Sequence, residues 1–238
     1  ITSLASGGRR GFAQSVFQVG GNLGGSFGPL LMALLVAPYG RHNIAYFAIV
    51  AFVAILVMIP VCRWYKAYLR RVKWRPANAV RHAPMPLPHG RTFFAIAILL
   101  TLIFSKYIYM ASLSSYYTFY LMHKFGVSVQ QSQIFLFVFL LATAAGTLMG
   151  GPIGDRIGRK YVIWMSILGT APFSILMPHV SLAWTVVLSF CVGFMLSSAF
   201  PAILLYAQEL LPNKLGLISG LFFGFAFGIA GIASAVLG

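Results

Sequence analysis

The chain has 238 residues, of which 60% are hydrophobic and 8% charged, with a mean hydropathy of +0.89; that balance excludes an ordinary water-soluble domain. The formal charge of +15 arises from 17 Lys and Arg against two acids. The basic residues sit in short segments between apolar runs and form no basic helix alternating with aromatics, so they point to lipid and membrane topology and not to nucleic acid. Cys62 and Cys191 each lie alone in an apolar run, with neither metal spacing nor a disulfide framework.

Crossing about 30 Å of hydrocarbon takes roughly 20 helical residues. Seven apolar stretches meet that length: Gly11 to Ala37, Asn43 to Cys62, Thr92 to Met122, Gln130 to Gly151, Tyr161 to Met177, Leu182 to Gln208 and Gly216 to Gly238. Backbone in lipid must satisfy its own hydrogen bonds, so these are predicted helices, and the fold class is an all-α membrane bundle. A barrel would show short alternating segments instead. No signal peptide is read before the first span, and Ile1 and Gly238 read as the ends of a piece of a longer protein.

If the spans alternate, 14 of the 17 Lys and Arg fall on one side, including Arg9, Arg10, Arg156, Arg159, Lys160 and Lys214. That side is cytoplasmic by the positive-inside rule. The segment Arg63 to Arg91 is the one linker, with a basic first part predicted as an interfacial helix and a proline-rich end, Pro84, Pro86 and Pro88, as an extended spacer.

The first span carries a line of amides, Gln14, Gln18 and Asn22, at i, i+4 and i+8, which need a partner helix or a wet cavity. Its glycines Gly20, Gly21, Gly24, Gly25 and Gly28 suit a close-packed helix face. In the third span Lys106 is the fifteenth residue of 31, near the bilayer midplane. A cation there costs on the order of 2.5–3.5 kcal/mol on insertion scales, and favours an anionic ligand or a carboxylate partner. On a helical wheel Tyr109, Tyr117 and Tyr120 fall within about 60° of Lys106, so a cation and three phenols are predicted to face one cavity. Ser112, Ser114 and Ser115 lie elsewhere on the wheel and are expected to bond back to helical carbonyls.

Between the fourth and fifth spans stands Gly150 to Tyr161, GGPIGDRIGRKY, read as a tight polar turn. Its spacing of Asp155 against Gly158, Arg159 and Lys160 resembles the signature loop of the major facilitator superfamily of secondary transporters. Gly24-x-x-x-Gly28-Pro29 resembles the core of the fifth-helix signature of drug:proton antiporters, although Met32 and Ala33 replace the glycines that follow there. RGFAQSVFQVGGNLGGSFGPL from Arg10 and LGLISGLFFGFAFGIAGIASA from Leu215 echo each other 205 residues apart, as parallel halves of one transporter would. FSKYIYMASLSSYYTFYLM and SGGRRGFAQSVFQVGGN resemble the fosmidomycin resistance branch of that superfamily.

The resemblance implies a superfamily helical bundle with residues 1–62 as the last two helices of the first half, 63–91 as the cytoplasmic central loop, and 92–238 as the first five helices of the second half. It implies a multi-pass protein of the bacterial inner membrane, acting as a monomer, that exports a small anionic drug such as fosmidomycin in exchange for protons, with no cofactor beyond the proton gradient. Transport of another small organic anion on the same fold is the alternative. Lys106, Tyr109, Tyr117, Gln18 and Asn22 are the candidate substrate-binding residues. Asp155, Arg159, Lys160 and Glu209 form the candidate gate, with Arg159 expected to pair with Glu209 and Asp155 to face the helix start near Gly216. The coupling carboxylate is assigned outside this stretch, because Asp155 and Glu209 both fall at membrane edges. An enzyme would need a nucleophile, acid pair or metal set within the bilayer, and two acids and five scattered histidines supply none.

Overall fold

A computed structural model describes residues 10–36, 38, 47–72, 89–211 and 214–237. Seven helices among them are long and apolar enough to cross a membrane. In chain order they are α1 (Arg10–Leu31, continued by a π-helical turn Met32–Val36), α2 (Phe47–Val72), α3 (His89–Phe125), α4 (Val129–Ile157), α5 (Arg159–Leu176), α6 (Leu182–Leu210) and α7 (Leu215–Leu237). The π turn follows Pro29, which lacks the N–H that a regular ladder would use.

The chain divides into two compact units, Leu34–Ala83 and a larger one formed by Ile1–Ala33 with Pro84–Gly238. The smaller unit is built on α2, apolar all round from Phe47 to Cys62 before its first basic residue, Arg63. This helix runs without a break through the first basic residues of the linker to Val72, with Trp64 stacked on Tyr68 at 5.6 Å. The first part of the linker is thus helical and continuous with the span as far as Val72. The proline-rich end of the linker lies outside the described residues.

In the larger unit α4 is central, packed against α1 on one side and α6 on the other, while α5 packs on α6 and α7 on α3. Lipid tails offer helices no hydrophobic drive to associate, so small residues that let backbones meet decide the packing. Gly146 and Gly150, one turn apart on α4, take the carbonyls of Phe194 and Ser198 on α6 where a Cβ would stand. A second layer closes where Ile103 of α3, Val162 of α5, Phe200 and Ile203 of α6 and Phe222 of α7 meet in one buried apolar cluster.

Helix ends follow local chemistry. Gly126, at φ 65°, reverses the chain after α3. The Ser128 hydroxyl then accepts the Gln131 N–H at 3.2 Å while the Gln131 side chain accepts the Ser128 N–H, a capping box that starts α4. The stretch Gly150 to Tyr161 differs from the turn that its glycines predicted. It stays helical to Ile157, Gly158 alone breaks the helix at φ 106°, and α5 starts at Arg159. Turn composition overstated the loop because Gly150, Gly151 and Gly154 are buried packing positions on α4, not reversals.

Candidate functional site

A cavity of about 190 Å³ opens between α1, α3, α4 and α6. Helix α1 contributes Gln18 and Asn22, and α3 contributes Lys106, Tyr107, Met110 and Ser114. Thr143 and Thr147 enter from α4, and Ser197 and Phe200 from α6. The amide line of α1 therefore divides, with Gln14 buried and Gln18 and Asn22 at the cavity wall.

Lys106 is the eighteenth of the 37 residues of α3 and only 7% exposed. Its ammonium lies 5.4 Å from the ring centre of Phe200 and 5.7 Å from that of Tyr107, so aromatic faces supply part of the stabilisation that water would give. The chain has two carboxylates, and neither reaches it: Asp155 and Glu209 are both engaged around Arg159. A buried cation with no counter-charge among the described residues is held at a cost, and an anion entering the cavity would offset it.

The tyrosines part from this lysine. Tyr109 donates to the Ser174 hydroxyl at 2.7 Å, and Tyr117, 2% exposed, pairs with Ser189 at 2.8 Å. Both line a separate depression with Tyr116, Tyr120 and Met177 towards the Lys124 end of α3. The grouping of Lys106 with Tyr109 and Tyr117 is thus corrected, for a geometric reason. The cavity is centred on the sector of Met110 and Ser114, with Lys106 at its edge, so a wheel window centred on Lys106 swept in Tyr109 from the far side. Tyr117 shares the angle but lies 11 residues further along, about 16 Å at helical rise. Ser114 does bond back to the Met110 carbonyl at 2.9 Å as expected, but it stands in the cavity wall and not elsewhere. Sequence reading passed over Thr143 and Thr147; their i, i+4 spacing in an otherwise apolar span was the available signal.

The second cluster is at the junction of α4 and α5. The Asp155 carboxylate accepts the backbone N–H groups of Gly11 and Phe12, each at 3.2 Å, at the first turn of α1. These N–H groups have no intrahelical acceptor and carry the positive end of the helix dipole. A Cβ at Gly11 would stand 2.5 Å from an Asp155 oxygen, so a larger residue there would displace the carboxylate from these N–H groups. Arg159 lies 3.9 Å from Asp155 and forms an ion pair with Glu209 at the end of α6. Lys160 is exposed beside them.

The pairing of Arg159 with Glu209 matches the expectation, whereas that of Asp155 with the helix start near Gly216 does not. Asp155 meets α1 because α4 lies along α1, Gly151 packing on the Gly11 carbonyl and the Ser15 hydroxyl one turn earlier, whereas α7 packs mainly on α3. Two glycine-rich spans with similar starts offered the sequence reading equivalent acceptor sites, and only packing chooses between them.

The cavity and the ion cluster are joined by α4, and an Asn22 side-chain N–H donates to Thr147 at 2.8 Å to tie α1 to α4 at the cavity wall. Comparison with known proteins matches the family description "Major Facilitator Superfamily" over residues 1–235. The chain is 59% identical over all 238 residues to the "Fosmidomycin resistance protein" of Escherichia coli (strain K12) and 37% identical to the "Uncharacterized MFS-type transporter YfnC" of Bacillus subtilis (strain 168). It covers 58% of each relative's length, so it spans little more than half of the curated proteins it matches. No solved structure matches it. With seven membrane-length helices and a family match across its length, the chain belongs to the Major Facilitator Superfamily, as a multi-pass protein of the bacterial inner membrane.

Proposed function

We propose that the parent protein is a secondary active transporter that exports a small anionic drug such as fosmidomycin in exchange for protons. The observation that carries the anion is Lys106, buried at the middle of α3 and facing a cavity with Gln18 and Asn22, while the two carboxylates of this stretch are engaged around Arg159. The relative named for fosmidomycin resistance, similar over the whole chain, supports the choice of drug. Substrate binds at Lys106 with the α1 amides, and the two halves rock around that site. Tyr109 and Tyr117 act from behind α3, through Ser174 and Ser189, and do not touch the substrate.

Asp155, Arg159 and Glu209 form a cytoplasmic latch that holds the outward-open state and parts for inward opening, with Lys160 at its exposed margin. The driving proton titrates a carboxylate in the parent outside this stretch, and the protein works as a monomer without cofactor or covalent chemistry. Expression of the full-length transporter should raise fosmidomycin resistance and lower intracellular drug, and Lys106→Ala should remove both effects. Resistance without lowered accumulation would refute the exporter reading. Counterflow in proteoliposomes gives the direct measure of turnover.

A further inference from the structure

We propose that the central cavity selects a singly protonated oxyacid anion, one that brings its own hydrogen-bond donor, over an anion of equal charge that has none. The inference rests on the reading of this cavity as an anion site, and concerns what else the ligand must carry. Its basis is where the wall's protons are spent.

Thr147 donates its hydroxyl proton to the Thr143 carbonyl at 2.8 Å, with the Ser197 carbonyl also near, at 3.4 Å. Thr143 donates to the Leu140 carbonyl at 2.7 Å, and Ser114 to that of Met110 at 2.9 Å. Each hydroxyl has one proton, and a carbonyl can only accept it, so these three side chains keep only lone pairs for a ligand.

The same rule orients Asn22. The Thr147 oxygen has no proton left to give, so it must accept from Asn22, which turns the amide nitrogen to Thr147 at 2.8 Å and leaves the amide oxygen for the cavity that Asn22 lines. A fourth acceptor thereby joins the three hydroxyls. Against them stands the Lys106 ammonium, while Gln18, Tyr107 and Ser197 can serve either way.

A cation surrounded by acceptors fits a monoanion with an O–H. Its charged oxygen takes the ammonium, and its proton satisfies an acceptor that would otherwise be stripped of water unpaired. A fully deprotonated dianion, or a monoanion with no donor, would set its lone pairs against the wall's own.

The test uses the full-length transporter in lipid nanodiscs and two probes in mildly acidic buffer. Methylphosphonate is there a monoanion with one P–OH; methanesulfonate has the same charge and tetrahedral shape with no donor. Methylphosphonate should bind about tenfold more tightly, the scale of one hydrogen bond with an acceptor left unpaired. Lys106→Gln should weaken both. Thr147→Val removes the lone pair that fixes the Asn22 amide and lets it turn its nitrogen to the ligand, so the preference should narrow towards unity.

Equal affinity of the two probes in the unmodified protein, with both still weakened by Lys106→Gln, overturns the donor requirement and leaves the anion site standing. A preference unchanged in Thr147→Val overturns the part assigned to Asn22 and Thr147. Affinities that ignore Lys106→Gln, or no binding of either probe, overturn the anion reading itself and this inference with it.

Discussion

The two charged regions of this molecule treat charge in opposite ways. At the junction of α4 and α5 the charges of Asp155, Arg159 and Glu209 are partnered and keep a share of solvent: the Arg159 side chain is 14% exposed, that of Asp155 23% and that of Glu209 45%. In the central cavity Lys106 is 7% exposed, with the rings of Phe200 and Tyr107 beside its ammonium and neither carboxylate of this stretch in reach. Paired, half-wet charges are cheap to separate and re-form, which suits contacts that must break in every cycle. A lone dry charge is expensive, and its cost falls when a counter-ion arrives, which suits a binding site.

The contrast is most directly broken at Lys106. Lys106→Ala should reduce binding of an anionic substrate by roughly two orders of magnitude, the scale for removing one side of a buried charge pair. Lys106→Met fills the same space without charge, and should lose transport while raising the melting temperature of the ligand-free protein. A lower melting temperature would mean that the ammonium has a structural counter-charge in the parent, and the comparison drawn above would fail.

Next in size is the packing that holds the two regions on one rigid helix. Gly150→Val would drive a side chain into the Ser198 carbonyl, and should destabilise the bundle by about 1–3 kcal/mol, read as a lower melting temperature in detergent. Full retention of stability would show that α4 and α6 can move apart freely.

The latch itself should respond more mildly. Asp155→Asn keeps the shape but removes the charge from the first turn of α1, and should shift the inward/outward balance by about 1 kcal/mol, or roughly fivefold. Distance measurements between spin labels on the two sides of the membrane would read that shift, with substrate selectivity unchanged. Altered selectivity would contradict a purely conformational role. Smallest of all is Glu209→Gln, expected to change the same balance by no more than about 1 kcal/mol because its side chain is nearly half exposed. High salt should reproduce most of its effect in the unmodified protein; a large salt-insensitive loss would instead mark Glu209 as more than a surface partner.

Much of the site was legible at the level of residue type. Lys106 stands out in an apolar span, the amides of α1 recur on one helical face, and Arg159 and Glu209 are complementary charges at two helix ends on the same side of the membrane. What a single helix could not disclose was the direction of its neighbours. Wheel angles place Tyr109 and Met110 on either side of Lys106, and nothing in α3 says on which side α1 and α4 will stand. Thr143 and Thr147 escaped notice, and Ser114 was placed away from the cavity, because hydroxyls in apolar helices usually satisfy themselves on the preceding turn. Here they do that and line the cavity as well.

By its sequence alone this protein was determined to be a helical membrane bundle of a recognisable transporter family, carrying a deep cation and a charged motif near one membrane face. Those properties follow from run length, hydropathy and the spacing of a few polar groups, all of them local to single helices. Tertiary structure decided which helix start receives Asp155, which wall of α3 faces the cavity, and which way the Asn22 amide turns. Each depends on contacts between different helices, and two of them on residues more than 100 positions apart, Gly11 with Asp155 and Asn22 with Thr147. Such contacts are settled by how small residues let helices meet, and no periodicity within one span encodes that choice.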